Sequence, residues 1–190
     1  MIDALFAFTN CEMSISPNSC VIEGNKPIFI GVTQILKKSV DRTVELLKLE
    51  LEIKLQELQN QWHWLSLERI FIENRIYRKI EDEETWEGVI NAIKTGLEPF
   101  LKNLKKKIND DDIVKLTEIK IKRISKFDSD KAQDNLIKIE DQIKDVNRNL
   151  SNLIQYTIAY YKDVKDKYSE GKERKTEIRV FDNITARKVI

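Results

Sequence analysis

From residue 33 to residue 65 the apolar residues recur at steps of three or four: Leu36, Val40, Val44, Leu47, Leu51, Leu55, Leu58, Trp62 and Leu65. That period puts them on one stripe of an α-helix. No glycine or proline interrupts it before Gly88, and Thr33 suits the N-cap. A helix over 33–67 is roughly 50 Å long at 1.5 Å per residue. A helix with a single apolar stripe cannot bury that stripe against itself, so it demands a partner of similar length. A second stripe supplies one: Ala132, Leu136, Ile139, Ile143, Val146, Leu150, Leu153, Thr157, Tyr160 and Val164 alternate steps of four and three, after Ser129 as a candidate N-cap and before Gly171 as a terminator. The two helices, 33–67 and 129–170, are predicted to pair antiparallel as an intramolecular coiled coil. The charges beside the stripes, such as Lys138, Glu140, Asp141 and Lys144, read as a solvated face.

The intervening residues 68–128 predict a compact helical head. Glu68 to Ile80 continues or bends the first arm, and the acidic run Glu81 to Glu84 suits a helix boundary. A helix enters at Thr85, runs from about Trp86 to Thr95 and is stopped by Gly96 and Pro99. Another starts at Asp110-Asp111-Asp112, whose carboxylates complement a helix N-terminus, and runs through Ile113, Leu116, Ile119, Ile121 and Ile124. Residues 1–32 follow a different rule. Their apolar positions alternate, so Met13, Ile15, Val21-Ile22 and Pro27 to Ile30 read as short strands, the last two joined by a hairpin at Gly24-Asn25. A hairpin this small is not stable alone. It must pack on the helix that follows or on a domain outside this chain. The fold class is therefore mainly α, with a β-hairpin foot.

Composition agrees with long solvated helices. The 190 residues hold only 5 glycines and 3 prolines against 34% charged residues, too few breakers for a doubly wound or all-β enzyme. No run approaches ~18 uncharged apolar residues, so no membrane span is predicted. The N-terminus carries Asp3 and lacks a basic region, which makes it a poor signal peptide. Cys11 and Cys20 lack CxxC spacing, and reduced cytoplasmic thiols are expected. With 33 Lys+Arg against 32 Asp+Glu, any contact with nucleic acid must come from local patches rather than net charge. The basic clusters Lys102, Lys105, Lys106, Lys107 and Lys115, Lys120, Lys122, Arg123, Lys126 lie close to acidic runs and read first as solvated surface. No phosphate loop, HExxH or Cys/His/Asp ligand cluster is present, and the single histidine, His63, reads as a packing or surface residue. No catalytic or metal-ligating residue is assigned.

Three strings carry a resemblance. Leu116-Thr-Glu-Ile-Lys-Ile-Lys-Arg-Ile-Ser-Lys-Phe-Asp128 resembles the helix leading into the return arm of the A subunit of bacterial type IIA topoisomerases, meaning gyrase and topoisomerase IV; Lys126 stands where that family has glycine. Arg174-Lys175-Thr176-Glu177-Ile178 is similar to the string that ends the family's breakage-reunion core. Asn25-Lys26-Pro27, with Val32, Ile35-Leu36 and Asp41-Arg42, is similar to the junction where the tower domain enters the first arm. The strings occur in the family's order, and the Trp62-His63-Trp64 and Arg69 to Arg78 stretches look closer to topoisomerase IV than to gyrase.

The resemblance implies a division of the chain into the end of a tower domain (1–32), the first arm (33–67), a helical exit gate or C-gate (68–128), the return arm (129–170) and an exit segment (171–190). It implies an ATP-dependent enzyme that passes one duplex through a transient double-strand break in another, the passed duplex leaving between the arms. The family's nucleophilic tyrosine directly follows an arginine; Tyr77, Tyr156, Tyr160, Tyr161 and Tyr168 follow Ile, Gln, Ala, Tyr and Lys, so this stretch is expected to be inactive alone. ATP and Mg²⁺ would belong to a partner B subunit. Homodimerisation through the head is expected, and because Ile119, Ile121 and Ile124 put apolar groups on more than one face, the candidate interface is Leu116, Ile119, Lys120, Arg123, Ile124 and Phe127. Lys37, Lys38 and Arg42 are candidates to lie near bound duplex DNA. A free-standing coiled-coil scaffold or adaptor is the alternative reading; it explains the heptads but not the hairpin or the Arg-Lys-Thr-Glu-Ile string.

Overall fold

In the computed structural model, residues 2–177 are described, apart from 12, 14, 82 and 105. The expected exit segment from residue 178 onward therefore lies outside the described residues. Two compact units are distinguished, Met1–Val44 with Thr157–Ile190, and Glu45–Tyr156.

In the first unit, β1 (Cys20–Glu23) and β2 (Lys26–Phe29) pair antiparallel, with Val21 opposite Ile28 and Ile22 opposite Pro27. The turn between them is the predicted one: Gly24 and Asn25 both have positive φ, at 54° and 63°. This is the two-residue primed turn whose twist matches that of the flanking strands. Lys38, on the helix that follows, forms an ion pair with Glu23 at the end of β1. Two expectations fail here. Met13 and Ile15 are in irregular chain rather than a strand, and Ile2–Phe8 forms a short helix, α1, that alternation did not indicate. The long helix α2 begins at Val32 rather than after a Thr33 cap: the Gly31 carbonyl accepts from the Gln34 and Ile35 amides. Leu36 and Val40, expected in the seam, are exposed at 62% and 43%.

Helix α2 runs unbroken to Glu73 and carries its stripe into the second unit. There Leu51, Leu58 and Trp62 pack against Leu136, Ile139 and Val146 of α6 (Ser129–Ser151). Side-chain links give the direction. Trp62 pairs with Glu140, Arg69 with Gln133 and Glu73 with Ser129, so as one helix advances the other recedes. The antiparallel pairing read from the two stripes is thus observed over this stretch. The return arm differs from the expectation in being two helices. α6 ends at Ser151, Asn152 adopts φ −120°, ψ 46°, and α7 spans Leu153–Tyr168. The cap of α6 is Asp128 rather than Ser129, its carboxylate accepting from the Lys131 amide at 3.2 Å.

Beyond Glu73 the chain turns at Arg75, whose φ of 51° is left-handed. That turn sends Ile76 back into the core with Phe71 and Ile72, the arrangement of an αL helix terminus with an apolar residue beyond it. A 3₁₀ turn (Ile76–Ile80) leads to α3 (Trp86–Leu97), which Thr85 caps as predicted, its hydroxyl accepting from the Gly88 amide at 3.1 Å. Gly96 does not stop α3. It lies inside the helix, buried, where an added Cβ would come within 2.7 Å of Ile76 Cγ2. Glycine is needed there for close approach rather than for termination. The predicted third helix is two helices, α4 (Asp110–Thr117) and α5 (Ile121–Ser125), interrupted at residues 118–120. Leu67, Phe71, Ile72, Ile76, Ile93, Leu97, Ile113 and Leu116 form the core of the head.

Candidate functional site

The break between α4 and α5 decides what each head residue does. Leu116, expected to reach a second copy, is sealed in the core at 1% exposure. Ile119, Ile124 and Phe127 are half-buried and pack on that core from outside, while Lys120 is exposed. Ile121 takes no part in that packing and stands 82% exposed at the first position of α5. A spacing of two between Ile119 and Ile121 places them on different faces of any helix; the chain resolves this by ending one helix and starting another.

Arg123 is committed within the chain. Its guanidinium forks onto Glu68 of α2, with Nη2 2.6 Å from Oε2 and Nε donating to Oε1. Glu68 is buried to 4% side-chain exposure, whereas Arg123 remains 59% exposed, so the desolvated partner is the carboxylate. The hydrogen bond to Glu68 is the main influence raising the guanidinium's pKa; burial opposes it, and the charge of Glu68 adds to it. This pair pins α5 to α2. Trp64 and Glu68 of α2 together with Lys115, Glu118, Ile119, Lys120, Lys122, Arg123 and Lys126 line an open groove of about 730 Å³. Five cations against two carboxylates make it basic.

His63 is buried at 4% exposure, with Nε2 3.3 Å from Asp112 Oδ2. The same oxygen accepts from the Asn109 amide at 3.0 Å, closing one half of a capping box on α4. In the tautomer assigned from this contact Nε2 carries the proton, and Nδ1 has no hydrogen-bond partner among the described residues. The histidine thus has the structural role expected of it, but the link to α4 had no signal in the sequence beyond the cluster of aromatic residues around it. A second cavity, about 590 Å³, is lined by the apolar Leu97, Leu101, Leu104, Ile108 and Ile113 together with Lys94, Glu98, Lys106 and Lys107. Lys94 pairs with Asp110 at 2.8 Å.

Of the residues expected near DNA, Lys37 is exposed, Lys38 is paired with Glu23, and Arg42 lies one turn beyond Lys38 on the same helix face. Among the described residues no three His, Cys, Asp or Glu side chains converge on a point that could hold a metal ion. No helix among them is long and apolar enough to cross a membrane. Of the tyrosines, Tyr77 packs against Phe71 and Tyr156 against the α2/α6 seam, while Tyr160 and Tyr161 meet edge to face at 5.6 Å.

The family model for the A subunit of DNA gyrase/topoisomerase IV matches residues 1–163. The chain is similar to the A subunit of DNA topoisomerase 4 from Borreliella burgdorferi, with 26% identity over 189 residues, covering all of this chain and 30% of that relative.

Proposed function

The chain belongs to the family of DNA gyrase and topoisomerase IV A subunits, and on that footing we propose that it forms the DNA-exit (C-gate) dimerisation segment of an ATP-dependent type II DNA topoisomerase. The chain spans 30% of the length of the curated relative it matches, so the activity belongs to the whole enzyme: passage of one duplex through a transient break in another. In that enzyme the proposed partners are a second copy of this chain, a B subunit supplying the ATP and Mg²⁺ sites, and duplex DNA. The cytoplasm is the proposed compartment. The stretch 1–190 contributes no catalytic tyrosine in this reading and is inactive alone. Lys37, Lys38 and Arg42 are proposed to lie near the bound duplex, and the salt dependence of DNA binding by the intact enzyme should flatten when they are removed.

One observation carries the gate reading. Ile121 stands 82% exposed on a segment whose other apolar residues, Leu116, Ile119, Ile124 and Phe127, are already absorbed by the head's own core. A gate must hold two copies together yet part in each cycle, and a two-fold interface of modest apolar area built around such a residue meets both needs. Family membership leaves the free-standing scaffold reading without support of its own. Light scattering at micromolar concentration tests the proposal. A dimer is expected, and Ile121→Asp should dissociate it without loss of helicity. A chain that is monomeric throughout, or a dimer indifferent to this substitution, overturns it. Ile121 is a better probe than Ile124, because Ile124→Asp would also damage the core beneath it.

A further inference from the structure

The basic groove poses a problem for a two-fold contact. If the two heads met groove to groove, Lys115, Lys120, Lys122 and Lys126 would face their own copies, and like charges brought together across an interface repel. Among the described residues none of these four lysines has an ion-pair partner. The same head carries the complement. Ahead of α3 stand Glu81, Glu83 and Glu84, with Glu87 in its first turn, all exposed and none ion-paired among the described residues. In their midst is Trp86, a tryptophan left 55% exposed. Large aromatic side chains of this kind are the usual anchors of protein interfaces when a pocket receives them, and the groove offers one, with Trp64 and Ile119 in its wall.

We infer that the gate contact is reciprocal: the acidic turn around Trp86 of one copy seats in the basic groove beside α5 of the other, and a two-fold axis repeats the pairing. This rests on the head-dimer reading above and deepens it by naming which surface meets which. It accounts for a head that carries two strong and opposite patches inside a chain whose net charge is only +1. It also makes the gate an electrostatic contact as much as an apolar one, and hence sensitive to ionic strength.

A charge swap tests it on the whole chain. One variant carries Lys120→Glu and Lys122→Glu, the other Glu81→Lys and Glu84→Lys; all four positions are exposed, and matching circular dichroism and melting curves check that both variants fold. Each variant alone should dimerise at least tenfold more weakly than the parent. A one-to-one mixture should recover a heterodimer, because the reversed groove of one variant then meets the reversed turn of the other while the second contact keeps the parent's charges. Trp86→Ala should weaken the parent dimer by a comparable factor. If the parent dimerises but the reversals have no effect, or mixing fails to restore association, the pairing is wrong while the gate reading stands. If the parent is monomeric at every concentration, both fall together.

Discussion

The Arg123–Glu68 pair predicts an asymmetry that a count of ion pairs would miss. Glu68 is the buried member, at 4% side-chain exposure, and Arg123 is largely in water, at 59%. Replacing the arginine with methionine strands a carboxylate that folding has already removed from solvent. Breaking a fully buried pair in this way costs about 3–5 kcal/mol. Two open grooves are lined by both Glu68 and Arg123, and water entering them reduces the cost to about 2–3 kcal/mol, near the worth of the charged hydrogen bonds that are lost. Replacing Glu68 with methionine instead frees an arginine that is already more than half solvated, and the cost should stay below about 1 kcal/mol, as for exposed pairs. The double variant, with both members apolar, should lie close to the parent. Urea unfolding followed by tryptophan fluorescence reads this out, since all three tryptophans, Trp62, Trp64 and Trp86, lie in the unit Glu45–Tyr156. With m near ~2 kcal/mol per M, Arg123→Met should lower the midpoint by about 1 M and Glu68→Met by less than about half of that. Equal shifts, or a larger one for Glu68→Met, would refute the assignment of the desolvated partner.

Two further outcomes follow from the packing and the caps. Gly96→Ala adds a Cβ that meets Ile76 Cγ2 at 2.7 Å, so an overpacking cost of ~1–3 kcal/mol outweighs the ~1 kcal/mol gained from helix propensity; a net stabilisation in urea titration would show that Ile76 yields more easily than a fully buried side chain should. Asp128 is held below its ordinary value of 3.8 chiefly by the hydrogen bond from the Lys131 side chain, then by the Lys131 amide. The unfolded chain therefore binds the proton first as pH falls, so the stabilisation is present above that value and disappears as pH drops through the folded pKa. Asp128→Asn keeps an acceptor at the cap but loses the charge, and it should flatten the acid limb of the stability curve; curves that stay parallel to the parent below about pH 4 would count against the cap.

What could be read from the sequence was what periodicity and turn chemistry encode. Gly24-Asn25 specifies its turn through two residues that tolerate positive φ, and the stripe from Leu47 to Leu65 predicts a helix because nothing in it competes. The break at Asn152 was hidden because Leu150 and Leu153 keep the three-residue step across it: a stripe records which face is apolar, not whether the backbone beneath is continuous. The end of α4 was hidden for the opposite reason. The spacing of Ile119 and Ile121 predicts two faces of one helix, whereas Ile119 lies in the break after α4 and Ile121 opens α5. The caps fell one or two residues from the expected ones at Gly31 and Asp128, since neighbouring residues of similar capping ability compete and local geometry chooses. The links His63–Asp112 and Glu68–Arg123 join residues 49 and 55 apart, and no local pattern announces such pairs.

Those distant links share one end. Between Trp62 and Glu73, three turns of α2 hold Asp112, Arg123, Ser129, Gln133 and Glu140, and with them α4, α5 and α6. During synthesis this stretch is complete long before any of its partners exists. Until Leu116 has been added Leu67 and Phe71 lack the rest of their core, until Arg123 Glu68 lacks its arginine, and until Val146 the stripe of Leu51, Leu58 and Trp62 stays uncovered. The interval in which this protein is most open to misassociation is therefore set by the order in which its own chain is made, and it closes only when the return arm arrives.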